Sequence, residues 1–205
     1  MTPSRLKRLS CLASLVLLLA GHKRRGEKTP IVTAIMPEKL ADTVKAAEEM
    51  GVEHLIIDTA PKMEHAMLAA MRLADTIIVP IRACLLDLSA TADTIELLKT
   101  TGKLEQSIGV LNAVQPTRGK KPDDPYVVEG AHTIEALGLK VARAVLHHRP
   151  AFERANNEGL GVIEYRHHGR QDKEAIKEVT ALWRQLSAPG KKAMAKTKRG
   201  KEARV

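Results

Sequence analysis

The sequence predicts an α/β fold, a mostly parallel sheet flanked by helices. Three observations predict it. Short apolar runs such as Leu55-Ile-Ile57 alternate with helical stretches of roughly 10–15 residues, the rhythm of βαβ units. Those runs are continuous rather than alternating, as in strands covered on both faces. At 205 residues, 44% hydrophobic and 28% charged, the chain is long and apolar enough for one domain with a sizeable core.

The elements follow in order. Pro37 opens a helix with Leu40, Val44 and Ala47 on one face, and Gly51 ends it. Leu55-Ile-Ile57 is the next strand, with Asp58 at its end. Met63, Met67, Ala70, Met71 and Ala74 fall at helical spacing, and Thr76–Ile81 is a strand. Asp87 suits an N-cap for a helix carrying Leu88, Ile95 and Leu98 as far as Gly102. Ser107–Val114 is a third strand, and 115–125 is a loop by its Pro, Gly and Asp content. A helix over 127–137, a strand over 140–146 and a short helix over Ala151–Asn157 come next. Asp172–Leu186 is amphipathic, with Ile176, Val179, Trp183 and Leu186 predicted to face inward.

Charge divides the chain into three parts. Residues 1–28 hold seven Lys/Arg against one Glu, and residues 191–205 hold the same balance, so each end carries +6. Residues 29–190 carry −3, with 19 basic and 22 acidic side chains. Clustered cations at chain ends attract phosphate polyanions, or simply solubilise a disordered tail. Aromatic content is only 2%, which argues against base-stacking platforms and requires an aliphatic core. Two cysteines, Cys11 and Cys84, stand far apart with no CxxC pair, which favours a reducing compartment.

Arg5, Lys7 and Arg8 precede the apolar run Leu9–Ala20, a layout like that of a signal peptide. The run is short of the ~20 residues a membrane span needs, and no A-x-A site follows it. It reads as a buried first helix or as a segment unrelated to the domain behind it, and no stable membrane insertion is expected.

Few residues carry chemistry. Asp58 ends its strand where open α/β folds bind ligands, and a carboxylate there can hold the water shell of Mg²⁺ or cap the next helix. Asn112 ends the third strand, where its amide can read a base edge or cap a loop. His147-His148 and His167-His168 are adjacent pairs with no Cys or carboxylate at ligand spacing, a pattern that suits surface or phosphate-facing histidines better than a metal. Gly159-Leu-Gly161 is not a dinucleotide fingerprint, and no G-x-x-x-x-G-K-[ST] loop occurs anywhere.

In order, Leu55-Ile-Ile-Asp-Thr-Ala-Pro61, Ala70–Pro80, Leu86-Asp-Leu88, Val110-Leu-Asn-Ala-Val114, Arg149-Pro-Ala-Phe-Glu-Arg-Ala155 and Gly159–Tyr165 resemble a ParA-type partition ATPase, of the ParA/MinD branch of deviant P-loop proteins. The resemblance covers residues 29–187, a ParA-like α/β domain between an atypical basic and apolar segment, 1–28, and a basic disordered tail, 188–205. It implies a P-loop NTPase-like fold, N-terminally incomplete. It makes Asp58 the catalytic-site carboxylate beside magnesium, acting through water. It places Thr59 and Pro61 in the switch that senses the γ-phosphate, and Asn112 on adenine.

The cofactors so implied are ATP and Mg²⁺. The implied partners are non-specific DNA, a centromere-binding partition protein and a second copy of the chain. The implied setting is the bacterial cytoplasm, in plasmid or chromosome segregation, plasmid-encoded in the first case. The family's KGGxGKT-type loop and its Asp-x-Asp-Pro-Gln switch are missing, so ATP binding is expected to be impaired. A shifted reading frame or misplaced start over residues 1–25 would account for that loss. The alternative expectation is a non-enzymatic partner or regulator that keeps the fold and its DNA or protein surfaces.

Overall fold

A four-stranded parallel sheet in the order β2-β1-β3-β4 organises the chain. The computed structural model describes residues 7–11, 32–59, 64–82, 84–116 and 125–187. The strands are β1 (Lys7–Cys11), β2 (His54–Asp58), β3 (Thr76–Ile81) and β4 (Ser107–Leu111). The helices are α1 (Leu40–Glu49), α2 (Glu64–Leu73), α3 (Leu85–Thr100), α4 (Pro125–Ala136), α5 (Pro150–Asn157) and α6 (Lys173–Ser187). The α/β class and its parallel sheet agree with the sequence.

The first correction concerns β1. The apolar run from Leu9 onward predicts a buried helix or an unrelated segment, yet Lys7–Cys11 pairs in parallel with β2 on one side and β3 on the other. Lys7 lies opposite His54 and Cys11 opposite Asp58, so the two strands end level. Ladder bonds on both sides supply what a short, partly basic segment lacks in apolar pattern.

Three clusters form the core. Ile77, Val79 and Ile81 alternate on one face of β3 and pack with Ile95 and Leu98 of α3, Ile134 of α4 and Met71 of α2. Leu40, Val44 and Ala47 of α1 bury against Ile57 of β2 and Ala70 of α2, as the helical spacing predicts. Ala151 and Ala155 of α5 close on Val162, Tyr165 and Ala175. The core is aliphatic, with Tyr165 its one buried aromatic among the described residues.

Other expectations shift. Ile56 is 57% exposed, because β2 is the outer strand of the four and α1 and α2 cover only the face that holds Leu55 and Ile57. Asp87 is not an N-cap: Cys84 takes that position, is exposed, and Asp87 sits in the first turn of α3 with its carboxylate 3.6 Å from Arg82 Nε. Residues 140–147 form two isolated parallel bridges to β4 and the turn after it, Gly109 to Val141 and Val114 to His147, rather than a continuous strand. Trp183 is 41% exposed and meets His54 edge-on, with ring centroids 4.9 Å apart, instead of facing inward. No helix among the described residues is long and apolar enough to cross a membrane.

Candidate functional site at the carboxyl edge of the sheet

The strand order places a topological switch point between β1 and β3. The chain leaves β1 towards β2 and later returns across to β3 and β4. Ligands of open α/β sheets bind outside the carboxyl ends of strands at such a point. Asp58 and Asn112 both lie on that edge, at the ends of β2 and β4. Three strand spacings of about 4.8 Å, roughly 14 Å in all, separate the two strands.

Asp58 is half-buried, and its Oδ1 is buried with no hydrogen-bond partner among the described residues. Burial pushes its carboxyl up from the ordinary 3.8 to about 6, against a hydrogen bond from the Thr59 backbone that favours the charged form. An orphaned buried oxygen is uncommon in folded proteins and calls for a missing partner. Thr59 is buried beside it, at 7% exposure. Pro61 and the basic tail, 188–205, lie outside the described residues.

Asn112 donates its backbone N–H to Ile81 O at 2.8 Å, which carries the β3–β4 pairing one step past the strand. Its Oδ1 accepts the Ala113 N–H at 2.9 Å, where Ala113 has a φ of 53°. The side-chain oxygen therefore holds a left-handed turn, the loop-capping role. Reading a base would fall to the amide nitrogen.

A second cluster was invisible to spacing arguments. Glu178 of α6 receives Arg149 through Nε at 3.0 Å and Nη2 at 2.7 Å, the His147 backbone N–H at 3.1 Å, and His147 Nδ1 at 2.8 Å. Burial opposes ionisation of Glu178. The hydrogen bonds from Arg149 and His147 outweigh it and hold the carboxyl below its ordinary 4.5. The hydrogen bond to Glu178 in turn raises the Arg149 guanidinium. His147 bridges Val114 of the Asn112 turn, so this cluster pins the segment beside that end of the edge to α6. No group of three or more His, Cys, Asp or Glu able to hold a metal occurs among the described residues.

The class defined here is that of the fold, an open α/β sheet of parallel strands flanked by helices. No protein-family model matches the chain. Two proteins named "Maintenance of carboxysome distribution protein A" are similar in sequence. That of Gloeobacter kilaueensis is 28% identical over 126 residues, spanning 61% of this chain and 56% of its own length. That of Halothiobacillus neapolitanus is 27% identical over 168 residues, spanning 78% and 72%. The chain thus spans little more than half of the first relative. Among solved structures, the septum site-determining protein MinD of Pyrococcus horikoshii with Mg-ADP superposes with a TM-score of 0.62 at 12% identity, covering 89% of this chain and 96% of that one. A complex of a substituted McdA from Cyanothece with ATP superposes at 0.51 with 15% identity, covering 87% and 97%.

ATP and magnesium fit this edge only in part. The unpartnered Asp58 oxygen suits a magnesium-bound water. The triphosphate does not fit as well. In a doubly wound sheet the turn after the strand at the switch point cradles phosphate with glycine N–H groups. After Cys11 the sequence runs Leu12-Ala-Ser-Leu-Val-Leu17, without glycine or lysine.

Proposed function

We propose that the chain is a ParA-type partition or positioning protein that has kept the magnesium side of an ATP site and lost the phosphate side. The observation that carries this is Asp58, whose buried oxygen has no partner among the described residues and stands level with the end of a central strand that no phosphate loop follows in sequence. Binding of ATP by this polypeptide is then weak, with Thr59, Pro61 and Asn112 retained from the family pattern. The names of the sequence relatives favour a carboxysome over a plasmid as the cargo that is distributed. Non-specific DNA is the track, held by the clustered Lys and Arg of 1–28 and 191–205, and a second copy of the chain is the expected partner.

A gel-shift titration of the purified chain with random-sequence duplex, with and without ATP and Mg²⁺, tests this. The expected result is binding that weakens steeply with salt and ignores ATP. Binding that requires ATP and Mg²⁺ would overturn the impaired site, and no binding at low salt would overturn the DNA track.

The missing cradle also supports a second reading, a non-enzymatic regulator that joins an intact ATPase of the same fold. Co-elution with such an ATPase, together with absence of DNA binding, would select it.

A further inference from the structure

A pocket of about 530 Å³ opens between the first turn of α5 and the segment 165–172, and it shares no lining residue with the Asp58–Asn112 edge. The far wall is a tight hairpin. His167 and Arg170 exchange backbone hydrogen bonds at 2.8 and 3.0 Å, and His168 and Gly169 both take positive φ, 47° and 75°. Two left-handed central residues make a type I′ turn, a stiff connection that fixes the side chains on its two arms. Tyr165, buried beneath, stacks towards His167 with centroids 6.5 Å apart, and the two imidazoles sit 4.2 Å apart. On the near wall, Ala151 and Ala155 bury against Tyr165 and Val162, which brings the helix close and leaves Arg154 on the pocket.

The lining of this pocket is net positive, two guanidinium groups against the one carboxylate of Asp172. Arg154 and Arg170 both line it, and neither forms an ion pair among the described residues. The acidic lining residue, Asp172, is held by its role as a helix cap, its Oδ1 accepting the Ala175 N–H at 3.0 Å. Gln171 is likewise turned away to the Ile163 carbonyl at 2.7 Å. Desolvation first, and then His168 and Arg154, hold the His167 imidazole below its ordinary 6.5, with Glu158 opposing. The first turn of α5 also borders the pocket with no side-chain cap on it, so its positive dipole end adds to the field.

We propose that this pocket binds a phosphate group, gripped by the Arg154 and Arg170 guanidinium forks with His167 and His168 as further donors. Two guanidinium groups on opposite walls match the multi-oxygen outline of a phosphate better than that of a carboxylate or halide. The proposal rests on the pocket alone and not on the partition reading, so either can fail without the other.

Histidine C–H resonances of the full chain, titrated with inorganic phosphate at constant ionic strength, test it. The His167 and His168 signals should move saturably, and chloride alone should leave them still. The double variant Arg154→Ala with Arg170→Ala should weaken phosphate at least about tenfold, the scale of losing charge-assisted hydrogen bonds. Arg166→Ala, exposed and outside the pocket, should bind normally. Should the double alanine variant fail to fold, the pair Arg154→Lys with Arg170→Lys keeps the charge and loses the forks, and should still bind measurably more weakly.

A short DNA duplex is the second arm. Competition with phosphate for these signals identifies a polynucleotide backbone as the source, and phosphate binding without competition identifies a small phosphorylated molecule. No saturable shift, or equal affinity in wild type and both arginine variants, overturns the proposal.

Discussion

Arg149 and Glu178 meet at 2.7 Å through Nη2 and Oε1, across 29 residues of chain, with side chains only 20% and 11% exposed. The pair ties the stretch that leads into α5 to the middle of α6, and His147 joins through both its backbone and its ring. Removing one partner of a shielded pair strands the other, so Glu178→Gln should cost about 2 kcal/mol in urea unfolding at neutral pH. Because the folded carboxyl lies below its ordinary 4.5, its contribution is complete above that value and fades as pH falls through the lower folded value. The gap between wild type and variant should therefore narrow below about pH 4.5. A gap that stays constant down to acid unfolding would refute the assignment.

Asp58 titrates in the opposite sense. Its folded carboxyl ionises near 6 while the unfolded one ionises near 3.8, so rising pH favours the unfolded chain across that interval. Asn cannot ionise and escapes the penalty. In EDTA, Asp58→Asn should stabilise the protein at pH 7 by about 1 kcal/mol, a figure kept small because the residue is partly open to solvent. The gain should vanish below pH 3.8, and a destabilised variant at pH 7 would show that the carboxylate has a partner in the folded protein.

Gly109 sits in β4 where a Cβ would come within 3.2 Å of Ile81 Cδ1 and 3.3 Å of Leu139 Cδ2. Both neighbours belong to the main core cluster and are nearly or wholly buried, at 1% and 0% exposure, so they have little room to yield. Gly109→Ala should destabilise by about 1–2 kcal/mol despite its gain in strand propensity. An unchanged urea midpoint would mean that the core beside β4 is looser than its burial indicates.

What the sequence disclosed follows from which forces act locally. Thr76–Ile81 was legible to the residue because its flanks punctuate it and its apolar side chains settle its identity. Leu40, Val44 and Ala47 were legible because helical spacing alone selects a buried face. Ile56 misled because a run of three apolar residues does not say which face stays open. Glu178 could not be paired with Arg149 and His147 from sequence, since the three meet only after α6 packs. At the site, Asp58 was legible as a strand end, whereas the use of Asn112 Oδ1 depends on the positive φ of Ala113, which no pattern announces.

The least legible element, β1, gives the sharpest test. Ser10 lies opposite Ile57 of β2 and Ile77 of β3, so paired strands flank it on both sides. Proline there removes a ladder donor and places its ring inside a central strand, where it is hardly ever tolerated. Ser10→Pro should abolish cooperative unfolding and leave β2 and β3 with open, aggregation-prone edges. Met36→Pro is the matching control: Met36 is 68% exposed with a φ of −74° that proline adopts readily, so that variant should melt within about 0.5 kcal/mol of wild type. If the two variants behave alike, Lys7–Cys11 does not complete the sheet, and β2 and β3 must be held together by the helices alone.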